Sequence, residues 1–232
     1  NRKVKAPKEQ IARILGKLST NLDEIQTNAV YVAATSGIMI LTGGPGVGKT
    51  TTTNLIIRYF LEQKKNILLA APTGKAAKRM SEATNMPAST IHRMLEFKSE
   101  NGRGFFARNK SNPLKANVVI VDEVSMLDQS LLHALLCALK KGTQLIFVGD
   151  KNQLPSVGAG NVLGDMIASG QYPVVELTKI YRQAAGSDII TNAHNILNHK
   201  GLTLSNRDFF FKECSSLEEM KQLLVHYVKD SL

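Results

Sequence analysis

The stretch LTGGPGVGKTTT, residues 41–52, decides the fold of this chain. Gly43, Gly48, Lys49 and Thr50 have the spacing Gly, four residues, Gly, Lys and Ser or Thr, directly after an apolar run. This order predicts a buried strand, a loop and a helix. Glycines let backbone N–H groups turn inward around a β-phosphate, and the positive end of the helix dipole adds to the attraction. The stretch is therefore typical of a nucleotide-binding loop.

Two side chains of this loop have separate chemical roles. Lys49 can reach between the β- and γ-phosphates of ATP as a point charge, and the hydroxyl of Thr50 is placed to bind Mg²⁺. A flexible Gly-rich turn is the alternative interpretation, but it does not explain why Lys and Thr follow the last glycine. We expect ATP and Mg²⁺ as cofactors. The predicted ATP-binding residues of the loop are Gly43, Gly44, Pro45, Gly46, Val47, Gly48, Lys49, Thr50 and Thr51.

A pair of acidic residues supplies the second half of the predicted chemistry. In VVIVDEVSML, residues 118–127, Asp122 and Glu123 directly follow an apolar strand. Asp122 can hold Mg²⁺ through water opposite Thr50, and Glu123 can orient or deprotonate the attacking water. A kinase would use the first carboxylate without the second, and an acidic pair that only caps a helix would use neither. We therefore predict Lys49, Asp122 and Glu123 as catalytic residues and Thr50 and Asp122 as metal-binding residues.

Short apolar runs alternate with amphipathic ones along the middle of the chain. We predict strands at 37–42, 66–71, 117–122, 144–149 and 173–177. We predict helices at 49–62, 74–83, 129–140, 162–168 and 187–197. Such alternation is typical of an α/β fold, a mostly parallel sheet with helices on both faces. Because ligands gather at the carboxyl ends of such strands, we expect the loops after them to carry the site.

The two ends and one internal segment depart from this alternation. Helices are predicted at 8–18 and 22–35, a last strand at 208–212 and a closing helix at 216–228. Residues 96–116 are polar and basic, and they are predicted to form an inserted loop or hairpin. Their interleaved aromatic and positive side chains are typical of a base-stacking platform. The alternative is that Phe105 and Phe106 form the buried side of a hairpin.

Composition limits the class of protein. The 232 residues are 43% hydrophobic and carry a formal net charge of +10, which allows one substantial core and favours a polyanionic partner such as nucleic acid. A basic surface that only aids solubility is the alternative. Cys137 and Cys214 lie far apart without metal-ligand spacing, and no apolar run approaches the ~20 residues that span a bilayer. A reducing cytoplasm and no membrane partner are expected.

Further segments, together with the phosphate loop and the acidic pair, resemble the superfamily 1 helicases. The resemblance is greatest to the RecD-like 5′-to-3′ DNA helicases, which include the exodeoxyribonuclease V alpha subunits. NLDEIQTNAV (21–30) resembles the adenine-reading Q motif, and APTGKAAKRMSE (71–82) and ASTIHRML (88–95) resemble the single-strand-binding segments. LIFVGDKNQLPSVGAG (145–160) resembles motif III, and LTKIYRQ (177–183) resembles motif IV. Their order and approximate spacing agree over most of the chain.

The resemblance implies roles for several residues whose side-chain chemistry alone allows more than one role. It implies that Gln26 bonds an adenine edge, and that Gln153 and Arg182 are further catalytic residues. Gln153 would sense the γ-phosphate or the attacking water, and Arg182 would neutralise charge on the γ-phosphate. Without the resemblance, Gln153 would be interpreted as a polar loop residue and Arg182 as a surface charge. Asp150 would be interpreted as bracing its loop, and Tyr181 as packing against its neighbours. The implied nucleic-acid contacts are Thr73, Gly74, Lys75, Thr90 and His92.

The resemblance also implies a fold and a function. Residues 21–232 are expected to be the first RecA-like P-loop NTPase motor domain, and residues 1–20 the end of a preceding domain, both cut from a longer helicase. The implied function is Mg-ATP hydrolysis coupled to 5′-to-3′ translocation on single-stranded DNA and to duplex unwinding, in DNA repair or recombination. Expected partners are single-stranded DNA, a second motor domain of the same parent chain, and recombination or nuclease subunits. This piece alone is expected to hydrolyse ATP slowly and to unwind nothing.

Other functions share parts of this pattern. An RNA-directed superfamily 1 helicase shares most of the motifs, since recognition of a 2′-hydroxyl depends on groove geometry. A regulatory module would sense ATP and bind nucleic acid without translocation. A small-molecule kinase gives no reason for the motif III resemblance. A GTPase would show Asn-Lys-x-Asp, whereas NKSN at 109–112 ends in Asn112.

Overall fold

The computed structural model of this protein describes residues 11–13, 16, 23–100, 102–181, 186–205 and 207–230. The chain divides into two compact units, Asn1–Tyr181 and Arg182–Leu232. The first unit contains the phosphate loop and the acidic pair. Residues 11–13 and 16 are helical, and the rest of the helix predicted at 8–18 lies outside the described residues.

The described chain alternates between strands and helices. Its strands are β1 (Ile38–Gly43), β2 (Ile67–Ala71), β3 (Ala88–Thr90), β4 (Phe97–Glu100), β5 (Arg103–Phe106), β6 (Val118–Val121), β7 (Gln144–Gly149) and β8 (Val174–Leu177). Its helices are α1 (Glu24–Thr35), α2 (Lys49–Glu62), α3 (Gly74–Thr84), α4 (Ile91–Met94), α5 (Gln129–Cys137), α6 (Val162–Ala168), α7 (Asp188–Leu197) and α8 (Leu217–Asp230). A 3₁₀ turn at Val124–Met126 precedes α5.

Six strands form one parallel sheet in the order β3-β2-β6-β7-β1-β8. Helices cover both faces of this sheet. Successive side chains of each strand point to opposite faces and therefore pack into two different cores. In β6, Val118 and Ile120 pack in the core that α1 and α2 complete. Val119 and Val121 pack in the core that α4, α5 and α6 complete. The predicted α/β class is confirmed.

The strand order brings the important loops to one edge of the sheet. β1 lies between β7 and β8, so that Thr42 pairs with Gly149 on one side and with Glu176 on the other. Ala71 at the end of β2 pairs with Thr90 at the end of β3. Because parallel strands point the same way, the segments that follow all of these strands meet at their carboxyl edge.

The segment 96–116 contains a hairpin, one of its two predicted forms. β4 and β5 pair antiparallel. Phe106 is partly buried against the second core, whereas Phe105 is 41% exposed. Phe97 is 50% exposed and covers Gly104 on the neighbouring strand. Only the second residue of the Phe105-Phe106 pair therefore lies on a buried side.

The second unit differs from its prediction at one place. The strand predicted at 208–212 is wrong, since the described residues there form no strand. The Asp208 carboxylate instead accepts a hydrogen bond from Asp188 N–H at 2.7 Å, at the start of α7, and Phe210 and Phe211 are exposed. An extended segment becomes a strand only when a neighbour pairs with its N–H and C=O groups. The helix predicted at 216–228 is present as α8.

Other element boundaries differ slightly from the predicted ones. α2 and α6 have the predicted bounds. α5 ends at Cys137 rather than 140, because Leu139 N–H donates only to the carbonyl oxygen three residues back, that of Leu136, at 3.3 Å. β3 was not predicted, since three residues of mixed polarity give no apolar run.

Candidate active site

The phosphate loop joins β1 to α2 and depends on two glycines. Gly48 has a φ of +85°, and a Cβ there would lie 3.1 Å from the ring of Tyr181 and 3.2 Å from Nε2 of Gln26. Gly43 lies so close to β8 that a Cβ would come within 2.7 Å of the carbonyl oxygen of Leu177. The observed loop therefore excludes a side chain at either position.

Lys49 and Thr50 begin α2, and no side chain of the described residues caps this helix. The N–H groups of its first turn therefore remain available to an anion. Lys49 Nζ donates to the carbonyl oxygens of Gly43 and Gly44 at 2.5 and 3.0 Å, which holds the ammonium against the loop. Thr50 and Thr51 are exposed on the first turn. Backbone donors, a cation and a hydroxyl thus converge where a phosphate chain would fit.

Gln26 lies beside the loop, in the first turn of α1. Its Nε2 donates to the hydroxyl of Thr52 at 3.4 Å, and its Oε1 accepts from Asp23 N–H at 3.4 Å. The Asp23 carboxylate accepts from Ile25 N–H at 2.9 Å, and together these bonds form a capping box. Gln26 is only 3% exposed. Its amide therefore joins α1 to α2, and recognition of adenine stays a prediction.

Asp122 and Glu123 follow β6 on a sharp turn. Asp122 Oδ1 accepts a hydrogen bond from Glu123 N–H at 2.9 Å. Glu123 has φ 54° and ψ 42°, a left-handed backbone that is uncommon for glutamate. This conformation leads the chain from β6 into the 3₁₀ turn Val124–Met126. The acidic pair thus lies on strained backbone, a feature that clusters at functional sites.

A cavity of about 230 Å³ joins the acidic pair to the phosphate loop. Lys49, Asp122 and Glu123 line it together with side chains of α2 and α3. Burial raises the pKa of the Asp122 carboxyl, against the opposing effects of Glu123 N–H and the Lys49 charge. Burial, and then the charge of Asp122, raise the pKa of Glu123, while Lys49 and Arg79 oppose that rise. A carboxylate with a raised pKa is a stronger base, which suits proton transfer from water.

Two oxygen ligands suited to Mg²⁺ lie on the wall of this cavity, the Thr50 hydroxyl and the Asp122 carboxylate. Mg²⁺ is usually held by one or two protein oxygens, with phosphates and water completing its shell. Within the described ranges, no group of three or more His, Cys, Asp or Glu could hold a metal ion. This donor set therefore fits a magnesium ion that arrives with a nucleotide.

The loop after β7 holds Gln153 against the acidic turn. Gln153 Oε1 accepts a hydrogen bond from the buried Ser125 hydroxyl at 3.1 Å. Asp150 accepts from Asn152 N–H at 2.9 Å and so braces the loop, as a structural role requires. The backbone N–H of Lys151 donates to the hydroxyl of Thr42 at 3.2 Å. These contacts connect β1, the acidic turn and the loop of Gln153.

Tyr181 covers the phosphate loop from the side of β8. Its N–H donates to the carbonyl oxygen of Gly46 at 3.3 Å, and its ring packs beside Gly48. Packing is therefore its observed role. Arg182, the predicted partner of γ-phosphate charge, lies outside the described residues, and its role stays a prediction.

The predicted nucleic-acid contacts lie at two neighbouring helix starts. The hydroxyls of Thr73 and Thr90 cap α3 and α4, each accepting at 3.2 Å from the backbone N–H three residues further on. Gly74 and Lys75 form the exposed first turn of α3. His92 is exposed, but its ring packs edge-on at 5.7 Å against the hairpin of β4 and β5. The structure brings four of these residues to one edge and ties the fifth to the hairpin.

Residues 26–159 match a family model described as an AAA domain, AAA_19. This match covers more than half of the chain. The chain belongs to this AAA domain family.

Two curated relatives are similar to this AAA domain. The ATP-dependent RecD2 DNA helicase of Deinococcus radiodurans is 40% identical over 182 residues, which cover 78% of this chain and 25% of that protein. The RecBCD enzyme subunit RecD of Mycolicibacterium smegmatis is 38% identical over 183 residues, which cover 68% of this chain and 33% of that protein. The chain thus spans a quarter to a third of these relatives, and the predicted resemblance to RecD-like helicases is confirmed.

A solved structure supports the same fold. The Pif1 helicase from Candida albicans superposes with a TM-score of 0.59 at 24% identity, covering 78% of this chain and 44% of that one. The RecA-like P-loop architecture predicted for the AAA domain is thereby confirmed. In the part of the chain that the structure describes, no helix is both long and apolar enough to cross a membrane.

Two side chains at this site were not predicted from the sequence. Ser125 lies two residues after Glu123 and therefore on the same turn, a signal that the sequence does carry. Arg79 has, with Ala76 and Met80, the spacing that places these residues on one face of a helix. That spacing was available in the sequence, but the cavity that this face lines was not.

Proposed function

We propose that this chain is the ATP-hydrolysing motor domain of a cytoplasmic DNA helicase that moves 5′ to 3′ along single-stranded DNA in repair or recombination. The observation that carries the proposal is the meeting of the phosphate loop, the acidic pair and Gln153 at one edge of the sheet. The names of the curated relatives, an ATP-dependent DNA helicase and a RecBCD subunit, support the substrate and the process.

The residues of the loop fit Mg-ATP. The open first turn of α2 and the ammonium of Lys49 would bind the β- and γ-phosphates. Thr50 and Asp122 would hold Mg²⁺, which when bound neutralises charge on the phosphate oxygens. Lys49 would leave its contacts with the two loop carbonyls to reach the γ-phosphate. ATP is thus proposed to be clamped between α2 and the carboxyl end of β6.

Glu123 is proposed to accept a proton from the attacking water. Its raised pKa suits this role, and its backbone is fixed by the hydrogen bond to Asp122. Gln153 would contact the γ-phosphate or that water, and its hydrogen bond with Ser125 links it to the same turn. Loss of the γ-phosphate would therefore change the contacts of both the acidic turn and the loop after β7.

Ser125→Ala tests this link. We expect the substitution to lower ATP turnover roughly two- to tenfold with little change in ATP affinity, because one net hydrogen bond contributes about 0.5–1.5 kcal/mol. Turnover is measured by phosphate release, and affinity by titration with a fluorescent ATP analogue. Ser111→Ala is the control, since the described contact of Ser111 is made by its backbone N–H. Equal turnover in both variants would contradict the link.

Single-stranded DNA is proposed to run past the starts of α3 and α4. Exposed N–H groups and the side chain of Lys75 suit a phosphate, and the hydroxyls of Thr73 and Thr90 hold the two helix starts in place. The net charge of +10 favours such a polyanion. Phe105 is exposed on the hairpin that follows α4 and is proposed as a base-stacking side chain.

Translocation is proposed to need a second motor domain carried by a longer parent polypeptide. The chain spans a quarter to a third of its curated relatives, which leaves room for such a domain. Hydrolysis would open and close the cleft between the two domains, and alternating contacts would advance the strand. Recombination or nuclease subunits are proposed as further partners, because the RecD relative is named as a RecBCD subunit.

Fluorescence anisotropy tests the nucleic-acid part of the proposal. Labelled oligo-dT, the matching RNA and a blunt DNA duplex are titrated with this chain at several salt concentrations. We expect oligo-dT to bind best, and we expect Lys75→Gln to weaken binding and to reduce the salt slope by about one. Lys78→Gln is the matched control, because Lys78 lies one turn further from the start of α3 and pairs with Glu82 on the same helix. Tighter binding of RNA would favour an RNA-directed helicase, and equal loss in both variants would contradict the assigned track.

A further inference from the structure

Arg79 lies on the face of α3 that closes the active-site cavity. Ala76, Arg79, Met80 and Ala83 recur at helical spacing and all line this cavity, together with Glu123. Met80 is buried and fixes this face against the core. Arg79 is exposed, but it is carried on a helix that packs on the core and lines the same cavity as the acidic turn.

The charge of Arg79 acts on Glu123 across this cavity, together with the stronger effects of Asp122 and Lys49. Neither side chain makes a hydrogen bond or an ion pair among the described residues, although both line one cavity of about 230 Å³. The neighbouring Lys78 differs, since it is not among the side chains that line the cavity and its ammonium lies 3.9 Å from the Glu82 carboxylate. A guanidinium offers a planar fork of donors that matches a carboxylate. The cavity thus brings a guanidinium side chain to the same space as the carboxylate proposed to activate water.

The same helix begins at the proposed DNA track. Thr73 caps α3, and Gly74 and Lys75 form its first turn, while Arg79 follows about one turn later. α3 also packs on β2 and β3, and the carboxyl ends of these strands lead into the two segments proposed to contact DNA, at Thr73 and at Thr90. α3 therefore connects the proposed DNA track, at its first turn, to the active-site cavity, which Arg79 lines. A displacement of its first turn would also displace Arg79.

We propose that Arg79 is a positioning residue that fixes the carboxylate of Glu123, and that α3 transmits the binding of DNA at its first turn to this pair. The inference rests on the proposed function and names the element that couples its two sites. DNA binding would set α3 so that Arg79 donates to Glu123, which would hold the carboxylate toward the attacking water. Without DNA the two groups stay apart across the cavity.

The test uses Arg79→Gln, Arg79→Lys and the control Lys78→Gln in the parent polypeptide. ATP turnover is measured with and without saturating oligo-dT, and affinity is measured with a non-hydrolysable fluorescent ATP analogue. We expect Arg79→Gln to lower the DNA-stimulated kcat roughly tenfold, since misplacing a catalytic group can cost up to about 10²-fold. We expect the ratio of DNA-stimulated to basal turnover to fall in Arg79→Gln, Arg79→Lys to recover part of this ratio, and Lys78→Gln to behave as the unsubstituted protein.

The outcomes separate this inference from the proposed function. DNA-stimulated turnover that persists in Arg79→Gln would overturn the role of Arg79 while leaving the helicase proposal intact. Equal loss of basal and stimulated turnover would show that Arg79 does not transmit DNA binding. Absence of ATP turnover in the unsubstituted parent polypeptide would contradict the proposed function itself, and the inference would fail with it.

Discussion

Glu123→Gln is expected to lower the kcat for ATP hydrolysis by about 10²- to 10⁴-fold, the contribution typical of a positioned general base. Glutamine keeps the size of the side chain but cannot accept a proton at neutral pH. The affinity for ATP should change little, because the proposed phosphate contacts come from the loop and from Lys49. Phosphate release in the parent polypeptide gives kcat, and titration with a fluorescent ATP analogue gives the affinity.

The matched control for this substitution is Glu82→Gln. Glu82 is an exposed acid on α3 whose described partner is Lys78, and its loss removes the same charge away from the cavity. If turnover in Glu123→Gln stayed within a few-fold of the control, another group would have to activate the water. A stable Glu123→Gln protein that no longer bound nucleotide would instead assign Glu123 to binding.

Lys49→Ala is expected to produce the largest loss of nucleotide affinity, roughly 10- to 100-fold. A hydrogen bond to a charged group contributes about 1.5–3 kcal/mol, and the ammonium is the cation held directly against the phosphate loop. The substitution also removes the two hydrogen bonds to Gly43 and Gly44, so that the loop itself becomes less constrained. Affinity is measured by titrating this chain with a fluorescent ATP analogue in the presence of Mg²⁺.

Lys141→Ala is the control for charge, since Lys141 is an exposed lysine beyond the end of α5. Thermal unfolding of both variants shows whether the fold is preserved, because Lys49 lies at a helix start and Lys141 in a turn. Unchanged affinity in a folded Lys49→Ala protein would mean that the loop does not bind the β- and γ-phosphates.

The sequence predicted the central part of the fold because local patterns specify it. β1 and α2 surround a loop whose glycines are needed at fixed positions, and strands buried on both faces must be continuous apolar runs. The position of the acidic pair after β6 and of Gln153 after β7 follows from the same patterns. These residues come together because their strands are parallel neighbours, which the alternation of elements predicts.

Features that depend on distant contacts could not be predicted in the same way. β3 is three residues long and exists because it pairs with β2. The segment 208–212 pairs with no strand of the described ranges and is not a strand itself. The bond between Ser125 and Gln153 joins residues far apart in the sequence. The role of Gln26 in a capping box is different, since Asp-Glu-Ile-Gln at 23–26 already carries that signature.

The most direct test of the central claim is the rate of ATP turnover by the parent polypeptide with and without nucleic acid. Phosphate release is followed at constant ATP and Mg²⁺ while oligo-dT, the matching RNA or a blunt duplex is added. The proposed function predicts that oligo-dT accelerates turnover, that the blunt duplex does not, and that the acceleration falls with salt as the strand dissociates. Turnover that is indifferent to all three would contradict the claim that this domain couples ATP hydrolysis to single-stranded DNA.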